Sequence, residues 1–140
     1  MGSELDKKER RTGNICWIGH TLNANWQEIA WHEFAHVITL QMTKNKIPRW
    51  LSEGISVWEE RQGQSYWGRS QGLDLVRAVN EAKLLPFASL NEGFSGAKTN
   101  AELSFAYFQS YLVVEYIASV YGFETLRSLI DQYGVVKEDE

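Results

Sequence analysis

Apolar residues cover most of the circumference of a helix predicted to run from Trp26 to about Met42. The stretch contains no glycine or proline, and Asn25 followed by Glu28 has the spacing of a capping box at its start. The apolar positions are Trp26, Ile29, Ala30, Trp31, Phe34, Ala35, Val37, Ile38 and Leu40. A helix with so little polar surface is expected to lie inside a domain.

Periodicity and stop signals predict four further helices along the chain. They cover about residues 48–62, 71–84, 101–121 and 124–133. Residues 91–99 are expected to form a loop, and residues 14–21 have the pattern of a short strand ending in a turn. The pattern therefore predicts an α+β fold, predominantly α, with about five helices and a short N-terminal strand.

Composition fits one compact domain. The chain has 140 residues, of which 44% are hydrophobic, and six tryptophans indicate a well-filled interior. We expect this domain to span residues 13–136. Residues 1–12 are expected to be a disordered or vector-derived segment, because they are charged and lack an apolar core. We also expect the domain to be excised from a longer protein, so the sequence does not indicate where the protein is localised.

Charge and apolar length disfavour two classes of partner. The net charge is -4 and no basic stripe is visible, which argues against nucleic acid or an anionic membrane as the main partner. No membrane span is predicted, because the longest apolar run near the C-terminus is interrupted by Glu115. The single cysteine excludes an internal disulfide.

The chemistry of the chain is concentrated in the sequence His32-Glu33-Phe34-Ala35-His36. Two imidazoles four residues apart leave a helix on the same side and can bind one metal ion, while Glu33 can reach a water on that metal. The alternative is a helix that carries two histidines at the edge of a core. Ionisable groups on so apolar a helix are costly unless they are paired or bind a metal, which favours the metal site.

Glu53 is the candidate for a third ligand. It lies within an apolar run formed by Trp50, Leu51, Ile55, Val57 and Trp58. A solvated surface carboxylate is the alternative, although the apolar neighbours argue against it. Gly54 follows directly, and a glycine costs about 1 kcal/mol relative to alanine inside a helix. We therefore expect Gly54 to allow a close approach of this helix to the first.

Both motifs carry a family resemblance. HEFAH, a short connection and PRWLSEGIS together resemble the gluzincin metallopeptidases, and more narrowly the bacterial peptidase MA-like domains. The segment 84–90 and the later Tyr107-x-x-Ser110 helix are similar to that family as well. The resemblance implies a zincin-like helical domain, a zinc-dependent metallopeptidase with one Zn²⁺ per chain, a peptide or protein substrate, and tetratricopeptide-repeat regions in the parent protein.

The resemblance also implies roles for individual residues. His32, His36 and Glu53 would be zinc ligands. Glu33 would be the general base that takes a proton from the attacking water and passes it to the leaving amine. Tyr107 is the candidate donor to the oxyanion, with Tyr111 as the second choice and Ser110 as a residue that orients a ligand.

One position departs from the pattern of some gluzincins. They have an acidic residue four positions after the glutamate ligand, where it accepts a hydrogen bond from a metal-binding histidine, whereas this chain has Val57. A backbone carbonyl, Ser56 or Glu60 is the alternative acceptor. The departure keeps a second function open, a catalytically weak or inactive zincin-fold binding module. A helical scaffold without metal is a third and less favoured interpretation.

Overall fold

The computed structural model describes residues 26–63, 76–77, 79–81 and 83–135. These residues are mostly helical. The helices whose bounds the structure gives are α1 (Trp26–Met42), α2 (Arg49–Gly63), α3 (Glu92–Ser95), α4 (Asn100–Tyr121) and α5 (Phe123–Gly134), with a 3-10 turn at Phe87–Ser89. The described ranges contain no strand. The predicted strand at 14–21 and the predicted N-cap Asn25 lie outside them.

Four helices have almost the predicted bounds, and two other predictions are wrong. The predicted loop contains the single turn α3. The predicted helix at 71–84 ends too late, because residues 76–77 and 79–80 are helical whereas 83–86 are not. Two features hold the chain out of a helix there. Pro86 disfavours the helical conformation of Leu85, and the Gln109 side chain bonds both the N–H and the carbonyl of Leu85, at 3.1 and 2.6 Å.

Helix α2 lies between α1 and α4 and supplies much of the core. Leu51 in α2 and Val114 in α4 are fully buried. A Cβ atom built on Gly54 would lie 2.7 Å from the carbonyl oxygen of Ser110 and 2.9 Å from Val114 Cγ2. The predicted close approach at Gly54 therefore exists, but the neighbour is α4 and not α1. The reason is that Gly54 lies on the side of α2 that turns away from the histidines.

Helix α1 is buried on one side only within the described part of the chain. His32, Ala35 and Thr39 are buried, and the packing partners of α1 are α2 and, more weakly, α5. On the opposite side Trp26 and Phe34 are 78% and 58% exposed. The described helices therefore do not enclose α1 on this outer side. The apolar positions surround α1, whereas the described helices contact only part of its circumference.

Local signals fix both ends of α4. The Thr99 side chain accepts a hydrogen bond from the N–H of Glu102, and the Glu102 carboxylate accepts one from the N–H of Thr99, which completes a capping box. At the other end Gly122 has φ +88°, a conformation that side chains disfavour, and α5 begins at the next residue. Among the described helices, α4 included, none has the length and apolar character required to cross a membrane.

Candidate metal centre

Three side chains from α1 and α2 converge on one point. His32 Nε2 and His36 Nε2 are 3.0 Å apart, and Glu53 Oε2 lies 3.3 Å from the first and 2.9 Å from the second. The two histidines are one helical turn apart on the face of α1 that meets α2. His32 and Glu53 are buried, and His36 is partly exposed, so the point of convergence opens toward solvent on the His36 side.

The geometry fits a tetrahedral metal ion. Zinc bonds of about 2.0–2.1 Å to nitrogen and oxygen imply ligand atoms about 3.3–3.4 Å apart, close to the observed separations. The donor set of two imidazole nitrogens and one carboxylate oxygen is one that zinc accepts while keeping a position for solvent or substrate. The residues present therefore fit the metal that the motif predicts. Packing alone does not explain why two imidazole nitrogens and a carboxylate oxygen face one another.

Hydrogen bonds on the outer side orient both imidazoles. His32 Nδ1 donates to the buried carboxylate of Glu60, and His36 Nδ1 lies 2.8 Å from the hydroxyl of Ser52. With its Nδ1 engaged in this way, each ring directs Nε2 toward Glu53. Such contacts fix the tautomer and the ring orientation of metal-binding histidines.

Glu60 is the hydrogen-bond acceptor of His32, for which the sequence left a backbone carbonyl, Ser56 and Glu60 as candidates. Val57 is buried in the core, and the hydroxyl of Ser56 has no hydrogen-bond partner among the described residues. Glu60 lies seven residues, or about two turns, after Glu53 and therefore on the same face of α2. That spacing could have identified Glu60 in the sequence. Because successive contacts run from Ser52–His36 to Glu60–His32, α1 and α2 are antiparallel.

Electrostatics around Glu53 favour its ionised form. Burial raises the pKa of Glu53, but hydrogen bonds from His32 and His36 and the Coulomb interactions with those rings lower it to about 2. On the other side of the carboxylate, Arg49 Nε lies 3.4 Å from Glu53 Oε1. One oxygen of Glu53 thus faces the histidines, and the other faces an arginine that sequence reasoning did not select.

The predicted catalytic residues lie in different surroundings. Glu33 is exposed on α1 and lies about 60° around the helix axis from His36. Tyr107 is buried, with its ring centroid 6.2 Å from that of His32. Tyr111 contacts Phe108 and Arg61 instead.

Within the described residues, the Ser110 side chain makes no hydrogen bond to a candidate ligand. Its side chain is fully buried, and its hydroxyl has no hydrogen-bond partner among the described residues. The backbone carbonyl of Ser110 contacts α2 at Gly54, in the space that a side chain at position 54 would occupy. Ser110 is therefore part of the packing between α2 and α4.

A comparison with known families identifies the superfamily of the chain. The profile of the peptidase MA superfamily matches residues 11–139, a range that contains every residue of the candidate centre. No curated protein and no solved structure matches the chain. Because the match covers most of the sequence, the chain belongs to the peptidase MA superfamily.

Proposed function

We propose that this domain is a zinc-dependent peptidase in which His32, His36 and Glu53 hold one zinc ion. The observation that carries the proposal is the convergence of these three ligand atoms, all within 4.8 Å of one another. Membership of the peptidase MA superfamily supports a peptide or protein substrate. When bound, zinc would polarise the substrate carbonyl and lower the pKa of a water molecule toward neutrality.

Glu33 moves the proton in this proposal. It follows His32 directly on α1, and its carboxylate is exposed to solvent. One carboxylate oxygen takes a proton from the attacking water, and the same group then delivers it to the nitrogen of the leaving amine. A site that only stabilised the fold would have no use for a base in this position, which favours hydrolysis over structural binding.

Tyr107 is proposed to donate a hydrogen bond to the oxyanion that forms at the substrate carbonyl. Its ring lies beside His32 and is held edge-on against Phe94, with centroids 5.1 Å apart. These contacts hold the ring next to the candidate centre. Tyr111 remains the second choice, although its ring packs against Arg61 and Phe108.

The test compares zinc content and peptide hydrolysis in three proteins. The parent chain is expected to bind one zinc and to cleave peptides in a mixed library. His32→Ala is expected to lose the metal, whereas Glu33→Gln is expected to keep it and lose hydrolysis. A parent chain that binds no zinc, or a Glu33→Gln variant as active as the parent, would contradict the proposal. A chain that binds zinc in this way but cleaves nothing would favour the binding-module alternative.

A further inference from the structure

Arg49 lies at the solvent-exposed side of the candidate metal centre. It is the first residue of α2 and lies one turn before Glu53. Its side chain is 46% exposed, compared with 11% for Glu53. Arg49 Nε contacts Oε1 of Glu53, while Oε2 of the same carboxylate faces the histidines. Arg49 therefore contacts a candidate ligand and is also accessible to molecules in solvent.

The ring of Phe94 packs against the guanidinium of Arg49 and restricts its position. Its central carbon lies 5.0 Å from the ring centroid of Phe94, within the range of a cation–π contact. Phe94 is buried and packs edge-on against Tyr107, and Tyr107 in turn packs against His32. A guanidinium held against a fixed ring loses little conformational freedom when it binds an anion.

Most hydrogen-bonding capacity of Arg49 is not used within the described part of the chain. A guanidinium has five N–H donors, and the contact to Glu53 uses only Nε, at 3.4 Å, which is long for a charged hydrogen bond. An i,i+4 ion pair of this exposure stabilises a helix only weakly. The contact with Glu53 therefore uses only a small part of the hydrogen-bonding capacity of Arg49.

Arg49 places one exposed positive charge beside the carboxylates of the centre. Glu33, Glu53 and Glu60 bring three carboxylates to this region, and a bound cation would share the charge of Glu53. The positive charge of Arg49 would then be available to another group that enters the centre from solvent. Carboxylates are suited to it, because the planar fork of arginine matches their two oxygens.

We propose that Arg49 binds a carboxylate of the substrate close to the scissile bond, and so selects peptides that carry one there. The proposal rests on the proposed peptidase function and adds a substrate class to it. The carboxylate has two possible sources, the free C-terminus of a peptide or the side chain of an aspartate or glutamate near the cleavage point.

The test measures peptide binding in zinc-loaded Glu33→Gln protein, which should not consume its ligand. The probes are N-acetylated alanine pentapeptides with a free C-terminus, with a C-terminal amide, or with an amide and one glutamate at each position in turn. The best carboxylate-bearing peptide is expected to bind about tenfold more tightly than the neutral amide. Adding Arg49→Gln should remove this difference and leave the affinity for the neutral peptide unchanged.

Lys46→Gln is the matched control, because Lys46 is an exposed cation in the connection between α1 and α2. It should keep the preference for carboxylates. A response to the free C-terminus or to an internal glutamate identifies the source, and either one supports the proposal. Equal weakening of all peptides by Arg49→Gln, the same loss with Lys46→Gln, or no preference for carboxylates in the first place would overturn it.

The two proposals fail in different ways. The peptidase proposal fails if the parent chain binds no zinc or if hydrolysis survives in Glu33→Gln. The carboxylate proposal fails if zinc binding and hydrolysis are as expected but Arg49→Gln cleaves acidic and neutral peptides with the same relative rates as the parent. Zinc affinity of Arg49→Gln, measured by chelator competition, distinguishes a role in substrate binding from a role in positioning Glu53, because only the second lowers it.

Discussion

The buried carboxylate of Glu60 accepts a hydrogen bond from Nδ1 of His32, across the interface of α2 and α1. The acceptor lies one turn beyond Val57, the position at which some gluzincins carry their acidic residue. Because Glu60 is seven residues after Glu53, a single face of α2 supplies both a candidate ligand and the group that orients a second one. The departure at Val57 is therefore compensated within the same helix.

The first prediction concerns Glu60. Replacing it by alanine leaves Nδ1 of His32 without its acceptor, and the loss of such partners lowers metal affinity by about 10- to 100-fold. Glu60→Gln keeps an acceptor oxygen and should lose less. Glu59→Gln, which changes the neighbouring glutamate, is the control and should bind zinc as the parent does. Chelator competition measures all three, and an unchanged affinity in Glu60→Ala would contradict the role of this contact.

The second prediction concerns the packing of α2 against α4. Alanine is favoured over glycine in a helix by about 1 kcal/mol, yet a Cβ on Gly54 would overlap the carbonyl of Ser110. Because the obstacle is backbone, we expect Gly54→Ala to lower the free energy of unfolding by about 1–3 kcal/mol. Urea denaturation measures this change. Combining it with Val114→Ala should give no rescue, since that substitution leaves the carbonyl in place.

The sequence was sufficient for the elements and residues that depend on short-range spacing. The bounds of α1, the shared face of His32 and His36, and the burial of Glu53 all follow from helical periodicity and from the apolar character of the neighbours. The partner of Gly54 could not be predicted, because it depends on which side of α2 each neighbouring helix occupies. The contact of Arg49 with Phe94 depends likewise on a turn of helix, α3, in a segment whose composition indicates a loop.

The third prediction concerns the capping box of α4. Thr99→Ala removes the acceptor for the N–H of Glu102 and should destabilise the protein by about 1 kcal/mol. Ser104→Ala, an exposed substitution further along the same helix, is the control and should be neutral or slightly stabilising. Thermal unfolding measures both variants. Equal melting temperatures of Thr99→Ala and the parent would contradict the assignment of the cap.

The fourth prediction concerns Glu59 and pH. Burial raises the pKa of Glu59, although a hydrogen bond from Trp31 opposes the shift. A carboxyl with a raised pKa in the folded state binds its proton more tightly there than in the unfolded chain, so it costs stability once the pH exceeds that pKa. We therefore expect Glu59→Gln to be slightly more stable than the parent at pH 7. The gain should vanish below the ordinary pKa of glutamate, and a gain of the same size at pH 3 and pH 7 would contradict this cause.

Crystals grown with one equivalent of zinc provide the most direct test of the metal centre. Anomalous difference density at the zinc absorption edge is the measurement. The account predicts one peak per chain within about 2.0–2.2 Å of His32 Nε2, His36 Nε2 and Glu53 Oε2. A chain without a peak at this point, or with Glu53 turned away from both imidazoles while zinc binds elsewhere, would contradict it.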